Sequence, residues 1–264
     1  MAVDVEEPVV ALDINDGIAT IVLQRAPANA YDEAFLRALG DAVRAVRDDD
    51  AVRVVVVRSG VPRFFCSGAD ISTLRAATRA SFASFVLLAH ETVEAITRTP
   101  KLFIAAIEGH CMGGGLELAL ACDFRLASDG AYKVGLAEVG LGLSPGMGGT
   151  QRLPRLIRKS AALELMVTGE PVTPGRAHAL GIVDRLISGD AFAAEVDGFA
   201  RKLAAGATLA QGHIKLAVNE GLEVGLDAGL AIERAHQNQL FGSEDVAEGL
   251  AAFLAKRTAR FTGR

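Results

Sequence analysis

Residues 109–123 read GHCMGGGLELALACD. An apolar run over 102–107 leads into three consecutive glycines, Gly113 to Gly115, and Glu117 follows inside an apolar segment of helical character. Glycines between a strand and a helix let a ligand approach backbone N–H groups that side chains would otherwise shield. Those N–H groups lie at the positive end of the helix dipole, which suits an oxygen that becomes negative during a reaction. A carboxylate two residues beyond the glycines adds an acid or base to such an oxyanion site. Phosphate binding is the usual alternative for a glycine-rich turn. The segment is neither G-x-x-x-x-G-K-[ST] nor G-x-G-x-x-G, and Glu117 would repel a phosphate. Taken alone, the segment is equally compatible with glycines that only permit tight helix packing beside a solvated Glu117.

Two further segments have the same construction. Residues 64–71, FFCSGADI, follow the valine run 54–57, so a buried-strand pattern again ends in a turn of small residues. Residues 135–152, GLAEVGLGLSPGMGGTQR, place a second acidic side chain, Glu138, among glycines and apolar residues. With RAPANA at 25–30, TGEPVTPGRAHALGIVD at 168–184 and AFLAKRTARF at 252–261, these motifs resemble the crotonase superfamily, the enoyl-CoA hydratase/isomerase family. The resemblance runs from about Val9 to the C-terminus.

The resemblance implies an α/β fold: a spiral of ββα units over residues 1–205, followed by a helical C-terminal region, 206–264, that builds trimers, usually paired into hexamers. It also implies a thioester enolate held by two backbone N–H groups, which motif matching puts at Ala69 and Gly114. Family hydratases carry one glutamate after the triple glycine and another in the next glycine-rich segment; here these are Glu117 and Glu138. Their spacing of 21 positions is one longer than the commonest form, and the turn Ser128-Asp129-Gly130 is expected to absorb the extra residue. The implied activity is addition of water across C2=C3 of a trans-2-enoyl-CoA, with Glu117 activating water and Glu138 protonating C2. Close carboxylates raise one another's proton affinity, so the pair can share a proton near neutrality. Coenzyme A is then part of the substrate, and neither a cofactor nor a metal is called for.

Other family chemistries read differently on the same residues. An enoyl-CoA isomerase would need Glu138 alone, so the presence of Glu117 favours hydration. The thioester hydrolases' aspartate after the proline is missing from Pro145-Gly146-Met147-Gly148-Gly149, and 141–152 contains no dehalogenase aspartate. A non-catalytic acyl-CoA binder remains the alternative of another class. For CoA, the resemblance points to Arg25 and the backbone around Ala28 to Ala30, to Asp70 and Ile71 after the first donor, and to Phe253 and Lys256 near the C-terminus. Asp70 has a second reading as N-cap of the helix that follows. Many relatives carry lysine where this chain has Ser72, which implies a different grip on the adenosine phosphates. The acyl pocket is expected from the helices after Ile71, from 87–96 and from the loop 141–147, with Tyr31 and Phe35 in the core.

The elements that must position these residues are legible in outline. Strands are expected at 9–12 and 18–23, as a hairpin around Asn15-Asp16-Gly17, and at 54–57, 103–107, 124–127 and 182–186. Helices are expected at 32–47, 81–98, 193–203, 209–220 and 225–240, with a soft boundary near Gly206. Cys66, Cys111 and Cys122 have no ligand spacing and read as buried thiols; His90 reads as packed or exposed, not as a base. The 264 residues, half of them hydrophobic, suffice for one large domain. A net charge of −5 argues against nucleic-acid binding. No apolar stretch has membrane-spanning length, and the N-terminal MAVDVEEPVV lacks the order of a signal or transit peptide, so a cytoplasmic protein is expected.

Overall fold

A computed structural model describes residues 8–264; the acidic residues 1–7, part of the N-terminal stretch read above, lie outside the described residues. In chain order the elements are β1 (Val10–Asn15), β2 (Ile18–Leu23), α1 (Glu33–Asp48), β3 (Val54–Ser59), β4 (Phe64–Cys66), α2 (Ile71–Ala76) and α3 (Arg79–Arg98). Then come β5 (Leu102–Ile107), β6 (His110–Met112), α4 (Gly114–Ala121), β7 (Phe124–Ser128), β8 (Val134–Gly135) and a 3₁₀ turn at Glu138–Leu141. The remainder is α5 (Gly149–Leu156), α6 (Lys159–Thr168), α7 (Pro174–Leu180), β9 (Arg185–Ile187), α8 (Gly189–Ala204), α9 (Thr208–Gly221), α10 (Leu226–Leu240) and α11 (Glu244–Leu254).

The strands divide between two sheets. One has six strands in the order β1-β2-β3-β5-β7-β9; the other has three, β4-β6-β8. Apart from the β1–β2 hairpin, the pairings between these strands are parallel. The first unit keeps both strands, β1 and β2, in the large sheet; the units that begin at β3, β5 and β7 send their first strand to the large sheet and their second to the small one, and a helix or helical turn follows. This is the spiral of ββα units expected from the sequence.

The valine run of β3 explains its central place. Val55 and Val57 point into the core shared with α1 and α3, whereas Val54 and Val56 meet Phe192, Val196 and Ala200 of α8. A strand buried on both faces reads as continuous apolar sequence, as parallel sheets require. All three cysteines are buried and free. The strand expected at 182–186 is displaced to Arg185–Ile187. Ile182 and Val183 are instead buried core residues in the turn before it, and Asp184 is drawn to Arg125, with its Oδ2 2.8 Å from Nη2. Among the described residues, no helix is long and apolar enough to cross a membrane.

The helices after Gly206 are fastened to the spiral by a buried cation. Lys215 of α9 is 5% exposed, stands 2.9 Å from Asp123, and donates to the carbonyls of Ile96 and Lys101 at 2.8 and 2.9 Å. Asp123 in turn accepts from the N–H of Phe103 at the start of β5. One carboxylate thus fixes both the large sheet and α9. Asp123→Ala leaves Lys215 buried without its counter-ion, and the expected loss is roughly 3–5 kcal/mol of unfolding free energy. Urea titration measures it; a loss below about 1 kcal/mol would mean that water compensates the ammonium.

Candidate active site

Two turns that follow small-sheet strands meet at one cavity. β4 and β6 lie side by side, with Cys66 opposite Cys111, so the chain leaves both strands at the same edge. After β4 comes Ser67-Gly68-Ala69-Asp70; after β6 comes the triple glycine. Gly68 has φ +97°, open to few residues other than glycine, and its missing side chain lets Gly114 N approach: a Cβ there would stand 3.3 Å from that nitrogen. Gly114 is the first residue of α4, so its N–H has no partner within the helix. The two N–H groups implied as oxyanion donors, Ala69 and Gly114, both belong to residues that line this cavity.

The cavity has a volume of about 150 Å³. Leu74, Phe82, Phe85, Val86, Leu141 and Leu143 make its wall apolar, and among the described residues Glu117 and Glu138 are the only charged ones lining it. The separation of 21 positions therefore does not part the two glutamates.

The two carboxylates are held differently. Glu117 is 1% exposed, and its Oε1 accepts from the N–H groups of Met147 and Gly149, each at 2.7 Å. Gly149 opens α5, so Glu117 acts as the N-terminal acceptor of that helix. Burial raises its pKa, and those amides oppose the rise. Glu138, at the start of the 3₁₀ turn, has a buried Oε2 without a hydrogen-bond partner among the described residues. Burial, with a smaller contribution from the Glu117 charge, pushes its pKa up to about 7. One glutamate is thus supplied with donors that favour the anion, and the other is left near half-protonation at neutral pH.

Of the residues expected at CoA, Ile71 lines the cavity and is 58% exposed. Asp70 caps α2, accepting from the N–H groups of Ser72 and Thr73, and Ser72 also turns its hydroxyl onto that carboxylate. Arg25 lies between Asp32 (2.9 Å) and Asp70 (3.2 Å) and donates to the carbonyl of Ala30, while the Ala28 carbonyl accepts from Ser67 N–H. In the structure these residues tie the 25–30 loop to the first donor's turn, outside the cavity wall. Phe253 (81% exposed) and Lys256 also lie outside that wall.

Three features were missed or misplaced. Tyr31, expected in the core like Phe35, is buried but also lines the cavity. The wall from α3 comes from Phe82, Phe85 and Val86, in the helices expected after Ile71, and within 87–96 from Ala89: Leu87 points outward, and Val93 and Ile96 face the core. Asn29, fully buried, knots the 25–30 loop by accepting from Arg25 N–H and donating to Ser59 Oγ and the Phe65 carbonyl. Its signal was an asparagine within a small-residue turn, which the apolar count passes over. His90, read as packed or exposed, is exposed and contacts the Gly146 carbonyl at 2.7 Å, tying α3 to the loop beside Glu117. Among the described residues, no group of three His, Cys, Asp or Glu side chains is arranged to hold a metal ion.

Known proteins place this geometry in a family. The enoyl-CoA hydratase/isomerase family model matches residues 13–264. A mitochondrial methylglutaconyl-CoA hydratase from Mus musculus is 40% identical over 94% of this chain and 81% of its own length. A crotonyl-CoA hydratase from Syntrophomonas wolfei is 35% identical, covering 97% of this chain and 98% of its own. Among solved structures, an enoyl-CoA hydratase from Geobacillus kaustophilus superposes with a TM-score of 0.96 at 44% identity, over 98% of both chains. With the ββα spiral, the paired turns and a match across nearly its whole length, the chain belongs to the enoyl-CoA hydratase/isomerase family.

Proposed function

We propose that the protein is an enoyl-CoA hydratase that adds water across C2=C3 of a short, uncharged trans-2-enoyl-CoA, without cofactor or metal. The observation that carries this reading is the pair of glutamates on one cavity wall in unlike environments. The Ala69 and Gly114 N–H groups hold the thioester oxygen as it gains charge. Glu117, as the anion, takes a proton from the attacking water while its oxygen bonds to C3. Glu138, as the acid, delivers a proton to C2, and exchange with solvent resets both carboxyls. Arg25, Asp70, Phe253 and Lys256 remain candidates for the CoA moiety, the last two from a C-terminus reaching the same or a neighbouring subunit.

The wall also argues for the acyl class. An apolar cavity of about 150 Å³ accepts a group of roughly benzene size, which corresponds to about four to six acyl carbons. The second carboxylate of a methylglutaconyl group would meet Glu117 and Glu138 with no cation among the lining residues. Assembly through residues 206–264 belongs to the same proposal. Ile214, Val218, Leu222, Leu226, Leu230 and Phe241 of the C-terminal region are all exposed, and an apolar surface of this kind is stabilised by burial against another subunit.

Loss of the enoyl-thioester absorbance on adding crotonyl-CoA tests the activity. Its rate should be unchanged by EDTA and should exceed the rate with methylglutaconyl-CoA; inactivity on all enoyl-CoA chain lengths would refute the reading. Glu117→Gln and Glu138→Gln should each lower hydration by roughly 10²–10⁴-fold. Deuterium exchange at C2 in heavy water should survive in Glu117→Gln and vanish in Glu138→Gln; the reverse pattern would exchange the two roles. An enzyme that moves the double bond and leaves it unhydrated would instead be an isomerase using Glu138 alone.

The pH profile follows from the same two groups. Glu138 must be protonated, so kcat/KM should fall as pH rises through about 7. Glu117 must be ionised, so the acid limb should lie above the ordinary glutamate value. Light scattering should report a trimer or hexamer at micromolar concentration; a monomer would remove the interface assigned to the C-terminal helices.

A further inference from the structure

Tyr31 joins the two halves of the site. Its N–H donates to the Gly68 carbonyl and its carbonyl accepts from Asp70 N–H, each at 2.9 Å, so its backbone brackets Ala69 as a one-residue parallel bridge. Its side chain crosses to the other half: a side-chain carbon on Gly114 would overlap the Tyr31 hydroxyl and ring edge. The ring stacks on Phe85 with centroids 5.9 Å apart, and both residues line the cavity.

The hydroxyl itself has no protein partner among the described residues and opens onto the cavity. Tyr31 is 6% exposed, yet none of the hydrogen bonds among the described residues uses its Oη. A tyrosine hydroxyl on a packed ring ordinarily finds a partner, and the Tyr31 Oη, which is not closed off from the cavity, is placed to find one in a bound ligand. Tyr132, the chain's other tyrosine, finds its partners within the chain, donating to the carbonyls of Ile107 and Ser128 at 2.9 and 2.7 Å. The acyl end of an enoyl thioester carries one strong acceptor, its carbonyl oxygen, and the phenol lies against Gly114, the residue whose N–H is a proposed donor to it.

We propose that the Tyr31 hydroxyl is a third hydrogen-bond donor to the thioester oxygen, acting with the Ala69 and Gly114 N–H groups. The proposal rests on the acyl-CoA reading of the site. It makes Tyr31 a catalytic residue, since the hydroxyl touches the oxygen on which charge develops. Burial, and after it the Glu117 carboxylate, pushes the phenol's pKa well above its usual value, so it remains a donor throughout the working pH range. A donor aimed at developing charge acts mainly on kcat.

Tyr31→Phe keeps the ring, its stack on Phe85 and the backbone bridge, and removes only the hydroxyl. The expected result is a kcat for crotonyl-CoA lower by about 10²-fold with KM and thermal midpoint little changed. Infrared difference spectroscopy of bound crotonyl-CoA, ¹³C-labelled at the carbonyl, should show a smaller downshift of the C=O stretch than in the wild type. Protein grown on 3-fluorotyrosine carries two reporters; binding should move the Tyr31 ¹⁹F resonance and leave that of Tyr132 in place. A Tyr31→Phe variant with the wild-type carbonyl shift overturns the proposal, whatever its rate. A wild type that binds crotonyl-CoA and shifts its carbonyl without hydrating it overturns the hydratase reading, and the donor comparison still decides for or against Tyr31. A wild type that leaves the carbonyl unshifted overturns both.

Discussion

The parallel pairing of two three-residue strands is the constraint on which the site depends. β4 and β6 run in the same direction with Cys66 beside Cys111, so the turns that follow them emerge at one edge and in contact. A single turn of this kind offers one N–H group to a ligand. Two turns held by a shared ladder bring the two proposed donors to the same space, with no rearrangement required if charge develops there. Close approach of the second turn requires Gly68 to lack a side chain, and Gly114 must be bare for the Tyr31 ring to pass. The glycines are there because of what stands opposite them.

The rest of the molecule holds that pair of turns in place. β3 and β5 of the large sheet each lead directly into a short strand of the small one, so the register of the large sheet sets the level at which the turns meet. On the far side, Arg25, Asn29 and Asp70 lash the 25–30 loop to the first turn. The second carboxylate-bearing segment is fixed by bonds that run the other way. Glu117 grips the start of α5 through Met147 and Gly149, and His90 contacts Gly146 from α3. A side chain at the proposed reaction centre therefore also organises the loop that closes the cavity.

The proposed division of labour between the glutamates is electrostatic. Both are removed from water, which by itself raises both pKa values. Two backbone donors and a helix N-terminus return part of that penalty to Glu117, and no hydrogen bond does so for Glu138 Oε2. Their mutual repulsion adds to the difference. The proposed acid and base thus come from the same residue type through unlike hydrogen bonding and charge.

The chain's motifs by themselves determined the family, a repeating β/α pattern and the segments that carry both glutamates and the two proposed donor amides, because each leaves a local mark; the ββα spiral came with the family resemblance. Valines buried on both faces, glycines at a strand end and a carboxylate in an apolar helix are all visible without knowing what lies across from them. Boundaries followed where periodicity was strong, as in α1, and slipped at β9, where Arg125 and the core settle which residues extend. Only the tertiary structure decided which face of α3 forms the wall, that Asn29 is a buried knot, and that Asp70 caps while Arg25 braces. It alone set Tyr31 against Gly114. Those facts depend on which side chains meet across more than 30 residues of chain, and a single sequence records each partner without recording the meeting.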